Sequence, residues 1–193
     1  PDGTKVSLED YVSRMKGDQK DIFFACGADR KTIESAPYVE AFAARGLEVL
    51  YMYDPIDAFL TGNLGAFDEK PFASVDSSDI ALGDAPSSSD VAPLPDAELT
   101  PLKDWIKSAL GDSKVSEVSS GGRLVDSPIA ALNTDGITPQ MRMMLKAMNP
   151  DSPLPPSPVK LEINPRSEVI KNLNSLRSSD ESLAKLVLYQ LFD

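Results

Sequence analysis

The residues of this chain that could do chemistry are few, and their types exclude more than they permit. The one cysteine, Cys26, ends an apolar run beside Gly27 and reads as a buried structural thiol. As a nucleophile it would need a base, and the sequence has 0 histidines to supply the commonest one. There is no G-x-x-x-x-G-K-S/T loop and no G-x-G-x-x-G turn after a strand, so nucleotide binding has no motif here. Asp54 and Asp57 flank Pro55 and read as helix caps rather than metal ligands, because no other acidic ligands are spaced to join them. The methionines are the more informative group. Met141, Met144, Leu145 and Met148 fall at i, i+3, i+4 and i+7 after Thr138-Pro139. Met143 lies off that stripe, at about 100° of helical rotation from Met144. Core packing explains such a stripe. So does an adaptable binding surface, since unbranched, polarizable side chains re-pack against varied apolar partners. Arg142 and Lys146 would form its solvated edge. Trp105, on an apolar helix face, reads as core.

The elements that must position these residues fall into two groups. Residues 1 to 76 alternate helix and strand: a helix capped by Ser7, a buried strand over Asp21 to Cys26, and helices over Arg30 to Ala36 and Tyr38 to Arg45 broken by Pro37. A second buried strand over Leu47 to Tyr53 follows, then a helix over Pro55 to Leu64 and a short strand over Pro71 to Val75. This order predicts a small α/β unit, a short parallel sheet with helical cover. Residues 77 to 99 form an acidic Ser/Pro-rich stretch. No Lys or Arg occurs between Lys70 and Lys103, while six acidic residues do. It reads as a solvated linker, or else as a docking site for a basic partner. Residues 100 to 193 predict a mixed α+β domain. Its elements are a helix over Thr100 to Leu110, strands over Val115 to Ser119 and Leu124 to Leu132 joined by Gly121-Gly122, and the Met-rich helix over Pro139 to Met148. A proline-rich loop over Asn149 to Pro158 leads to a strand through Leu161 and Ile163. Pro165 opens a helix there, and a last helix starts at Ser182.

The net charge of −11 argues against a nucleic-acid binder, which needs a basic stripe, and against docking on anionic membranes. No apolar run approaches the ~20 residues needed to span a bilayer. One cysteine allows no internal disulfide, which fits a reducing compartment. The chain opens on Pro1, with no signal peptide visible, and reads as an excised piece of a longer protein.

Four motifs carry a resemblance. Leu161-Glu162-Ile163-Asn164-Pro165-Arg166 resembles a signature near the C-terminal end of the heat-shock protein 90 chaperone family. Ser7-Leu8-Glu9-Asp10-Tyr11-Val12-Ser13-Arg14-Met15 resembles its "L-x-x-Y-V-x-R-M" helix. Glu48-Val49-Leu50 with Asp54-Pro55-Ile56-Asp57 is similar to its "E-V-L-x-x-x-D-P-I-D" strand and turn, and Arg123-Leu124-Val125-Asp126-Ser127-Pro128 to its "R-L-V-D-S-P" strand. They occur in family order across nearly the whole chain, in wording nearer to bacterial and organellar members. The resemblance implies the distal middle domain plus most of the C-terminal domain of a chaperone that binds unfolded or partly folded clients.

It also implies a homodimer in the full-length protein and an ATP and magnesium site that lies upstream, so no cofactor and no catalysis are expected in this stretch. The expected location is the bacterial cytoplasm, with an organelle matrix as the alternative. Client contact is implied for the Met helix (Met141, Met143, Met144, Leu145, Met148) and for Phe59. There the family places an aromatic with an acidic neighbour and an amide, but this chain has Ala58 and Gly62. Two family helices that make most of the dimer interface would follow Asp193, so a monomer or weak dimer is expected. The competing readings are a structural or dimerisation module without client contact and a small α/β enzyme. Missing motifs and missing histidine disfavour the enzyme.

Overall fold

A computed structural model describes residues 5–82, 91–121, 123–149 and 157–192. The first group of elements begins with α1 (Leu8–Arg14), where Ser7 and Asp10 complete a reciprocal capping box. Then come β1 (Ile22–Cys26), α2 (Arg30–Glu34), α3 (Pro37–Ala44), β2 (Leu50–Met52), α4 (Pro55–Leu64), β3 (Ala66–Phe67) and β4 (Lys70–Ser74). The strands order as β2-β1-β4-β3. β1 pairs in parallel with β2 and with β4, while β3 turns back antiparallel on β4.

Both faces of β1 are covered, so every one of its residues is buried. Phe23 and Ala25 face Ile33, Val39, Ala41 and Phe42, with Phe23 and Phe42 edge to face at 4.9 Å. Phe24 and Cys26 face Leu50, Met52 and Phe72. Tyr11 docks α1 on this sheet. Its hydroxyl donates to Glu48 O at 2.8 Å and accepts from the Phe23 N–H and from Gln19 Nε2, both at 3.0 Å. Gly46 closes α3 in a left-handed conformation (φ 60°), with the Gly46 and Leu47 N–H groups returning to Ala43 O and Phe42 O. Three details differ from the sequence reading. Pro37 starts α3 instead of breaking a helix. β2 is half-buried because it forms the sheet edge, and the β3–β4 pairing adds an antiparallel ribbon.

The second group holds α5 (Asp96–Leu110), β5 (Val115–Ser120), β6 (Ile129–Leu132), α6 (Pro139–Met148), β7 (Val159–Ile163), α7 (Glu168–Ser179) and α8 (Glu181–Phe192). β5 and β6 are not neighbours. β7 lies between them, parallel to β5 and antiparallel to β6. Leu161 and Ile163 of β7 are fully buried with Leu102, Ile106, Ile170, Leu173 and Leu188 from the helices. Trp105 is half-buried against this core. β7 is central because it supplies these apolar side chains, and that excludes a β5–β6 hairpin. α5 starts at Asp96, ahead of the expected Thr100, and carries Pro101 in its interior. Leu99, anchored in the core, adds a turn of apolar contact that offsets the bond Pro101 cannot make. Pro165 sits in a turn closed by Ser167 N–H to Asn164 O at 3.1 Å, and α7 begins only at Glu168.

The expected solvated linker carries structure at both ends. Ile80 and Leu82 pack on the first core, Leu94 joins the second, and Arg166 donates to Val91 O at 2.9 Å. Residues 83–90, and most of the proline-rich loop at 150–156, lie outside the described residues.

The two sheets meet at buried polar groups. The Arg123 guanidinium donates to Val75 O at 3.1 Å, Ser77 O at 3.2 Å and Ile80 O at 2.7 Å. It lies 3.8 Å from Glu162 on β7, and Glu162 also accepts the Arg123 backbone N–H at 3.0 Å. Burial pushes the Arg123 pKa down, against the pull of Glu162 and Asp76. Gly121 is small here because a Cβ would stand 2.7 Å from Glu162 Oε1.

Candidate functional site

The Met-rich helix is built by the loop before it. Asn133 Nδ2 donates to Ile137 O at 2.7 Å, and Asn133 Oδ1 accepts from the Asp135 N–H at 3.0 Å. Asp135 accepts from the Ile137 N–H at 2.9 Å and pairs with Arg142. Partial burial alone would raise the Asp135 carboxyl, but these hydrogen bonds and the Arg142 charge hold it below its ordinary value. Thr138, buried, caps α6 by accepting the Met141 N–H at 3.2 Å. Arg142 therefore anchors the helix start and is more than a solvated edge. Lys146 is exposed.

Once placed, α6 keeps much of its apolar surface in solvent. Met141 and Met144 are half-buried, whereas Met143, Leu145 and Met148 expose 64%, 38% and 70% of their surface. The stripe read from the sequence is thus divided: Met141 and Met144 rest on the protein, while Leu145 and Met148 project together with the off-stripe Met143. Met141 and Thr138 border an open cleft of about 860 Å³ that is also lined by Thr61, Phe24 and Phe72.

α4 is the neighbour of α6. Asp54 and Asp57 cap it reciprocally, as their spacing suggested, and Pro55 occupies its first turn. Phe59 lies on α4, but its side chain is outside the described residues, as are those of Ala58 and Gly62. Sequence reasoning missed the other apolar side chains of this helix. Ile56, Leu60 and Leu64 stand exposed at i, i+4 and i+8, with exposed Tyr53 just before them. Their helical spacing was the available signal. With α6 they bring six large apolar side chains into solvent on two neighbouring helices, an exposed area on the order of several hundred Å².

Burial, with the charges of Asp76 and Asp57, pushes the Cys26 thiol up to about 12, so it stays protonated and unreactive. Among the described residues no group of three or more His, Cys, Asp or Glu could hold a metal ion. No helix among them is long and apolar enough to cross a membrane.

The family model described as "Hsp90 protein" matches residues 2–193. The chain belongs to that family. The "Chaperone protein HtpG" of Desulfitobacterium hafniense (strain Y51) is 41% identical over 192 residues, which is 99% of this chain and 31% of the relative. The protein of the same name from Desulfotalea psychrophila (strain LSv54 / DSM 12343) is 37% identical over 198 residues, covering 99% and 32%. That of Mesorhizobium japonicum is 39% identical over 192 residues, covering 96% and 30%. This Hsp90 chain spans about a third of the length of the curated relatives it matches.

Proposed function

We propose that this chain is the part of a heat-shock protein 90 chaperone that holds exposed apolar segments of unfolded or partly folded proteins. The surface is formed by α4 and α6, with Phe59, Met141, Met143, Met144, Leu145 and Met148 as its contact residues and Ile56, Leu60 and Leu64 extending it. One observation carries this reading: large apolar side chains stand in solvent on two neighbouring helices, one of them rich in methionine. Leaving such a patch in water has a cost that a binding role explains, and flexible thioethers suit partners of varied shape.

In this reading residues 1–76 are the distal part of a middle domain, 77–99 connect it, and 100–193 belong to a C-terminal domain. The whole protein is a homodimer in the bacterial cytoplasm, or in an organelle matrix, and is driven by ATP and magnesium bound upstream. No step of ATP hydrolysis is assigned to the present residues.

A second reading rests on α8. Leu183, Leu186 and Tyr189 are exposed there, with Val169 exposed on α7. That face suits an assembly contact, and the chain would then serve as a structural module without client contact. The two readings separate in a titration of a fluorescent, reduced and alkylated polypeptide followed by anisotropy. Under the client reading, Met143→Ser/Met148→Ser weakens binding about tenfold, equivalent to ~1.4 kcal/mol of lost apolar contact, and Leu183→Ser/Leu186→Ser does not. Unchanged binding in the methionine variant, or none in the parent chain, would favour the structural module.

A further inference from the structure

The segment from Arg123 to Ser127 reads as strand in the sequence, yet the strand begins only at Ile129. Its backbone is instead held on both edges by side chains from the two halves of the molecule. On one edge is Glu40 of α3. Glu40 Oε1 accepts the Val125 N–H at 2.7 Å and the Ser127 N–H at 3.2 Å, and Oε2 accepts the Ser127 N–H at 3.3 Å and the Ser127 hydroxyl at 3.1 Å. On the other edge is Asn164, at the end of β7 and 4% exposed. Asn164 Nδ2 donates to Val125 O at 3.1 Å and Ser127 O at 3.2 Å. Asn164 is itself fixed, because its N–H donates to Pro128 O at 2.8 Å and its Oδ1 accepts the Arg166 N–H at 3.0 Å.

The same two residues, Val125 and Ser127, therefore offer their amides to the first half and their carbonyls to the second. Leu124, buried between them, packs with Leu132 against Tyr38 of α3. The bonds to Glu40 are charge-assisted and converge on one carboxylate, a directional link across the junction beside the Arg123 bonds to Val75 O, Ser77 O and Ile80 O.

We propose that residues 123–127 are a clasp that fixes the angle between the two sheets, with the Glu40 carboxylate as its latch. The Asn164 side carries the segment as a rigid extension of β7, and the Glu40 side determines where α3 and its sheet must sit. Opening the latch lets the two halves reorient while each keeps its own apolar core. The clasp involves no client, so its test is independent of the surface on α4 and α6.

The test uses spin labels on the full chain in a Cys26→Ala background, with distances read by double electron–electron resonance. Lys31→Cys on α2 and Ser175→Cys on α7, both exposed sites, report on the junction. Ser108→Cys with Ser175→Cys reports on the second half alone. With Glu40→Ala the first distribution should broaden or shift and the second should not, while the Val125 and Ser127 amides exchange about tenfold faster or more. Glu40→Gln keeps one oxygen for the Val125 and Ser127 N–H groups but removes the charge and the Oε2 acceptor, so it should act in the same direction with a smaller effect and supplies the readout if Glu40→Ala does not fold. An unchanged junction distance would overturn the clasp, even if the two amides exchange faster, since the bonds would then be local only.

Discussion

Replacing Arg123 by methionine should be among the most damaging single changes in this chain. Arg123 is 5% exposed and Glu162 is 7% exposed, and Asp76, 8% exposed, lies within reach of the same field. Methionine keeps most of the aliphatic stem but removes the cation, which leaves two buried carboxyl groups facing no compensating charge. Breaking a buried pair in this way costs about 3–5 kcal/mol. The bonds to Val75 O, Ser77 O and Ile80 O overlap with that figure and do not add to it, because all belong to one network. Against a total stability of about 5–15 kcal/mol this is a large fraction.

The assay is urea unfolding followed by far-UV circular dichroism and by the fluorescence of Trp105, the single tryptophan. With an m-value of about 2–3 kcal/mol per M, the midpoint should fall by roughly 1–2 M. The companion variant Arg123→Met/Glu162→Leu removes the stranded carboxylate and should recover at least about 1 kcal/mol. An unfolding free energy for Arg123→Met within ~0.5 kcal/mol of the parent, or a double variant that merely adds the two losses, would refute the reasoning.

Three further changes have worked signs. Tyr11→Phe strands the buried Phe23 N–H and removes the bonds to Gln19 and Glu48 O, and should cost about 1–3 kcal/mol by the same unfolding assay. Gly121→Ala places a methyl group 2.7 Å from a Glu162 oxygen that is already bonded, and should cost about 1–3 kcal/mol. Burial raises the Asp76 carboxyl above its ordinary 3.8, although the Ser74 hydroxyl and Arg123 pull the other way. The folded state then holds that proton more tightly than the unfolded chain, so the contribution of Asp76 is favourable below pH 3.8 and is lost as pH rises through the raised value. Asp76→Asn should accordingly gain on the parent chain between pH 4 and pH 7, with the difference vanishing near pH 4, as read from urea midpoints at the two pH values.

Local chemistry made much of the fold legible in the sequence. The Asp54-Pro55-Ile56-Asp57 cap, the apolar run of β1 and the span of α6 follow from neighbours a few residues apart, and each was found where the spacing placed it. The start of α5 was misread because Pro101 looks like a first-turn residue, while the contact that extends the helix, Leu99 in the core, is tertiary. The β5-β7-β6 order was invisible for a similar reason, since adjacency in the chain suggested a hairpin. The junction was the least legible part. Glu40 meets Val125 across 85 residues, and Asn164 meets it across 39, and such pairs leave no periodic trace. In the candidate surface, the methionines announced themselves by type and spacing. Ile56, Leu60 and Leu64 did not stand out, because exposed and buried aliphatic stripes look alike until the neighbours are known.

The proposed surface for apolar segments lies on α4 and α6, and methionine methyl groups report on it directly. The chain has six methionines, and Met15 and Met52, which belong to other elements, serve as internal references. Carbon-13 methyl spectra would be recorded as a reduced, alkylated polypeptide is added to the full chain. Shifts or broadening at Met143, Met144 and Met148, with Met15 and Met52 unmoved, are the predicted result. Binding that leaves the α6 methyl groups unperturbed, or that moves all six alike, would contradict it.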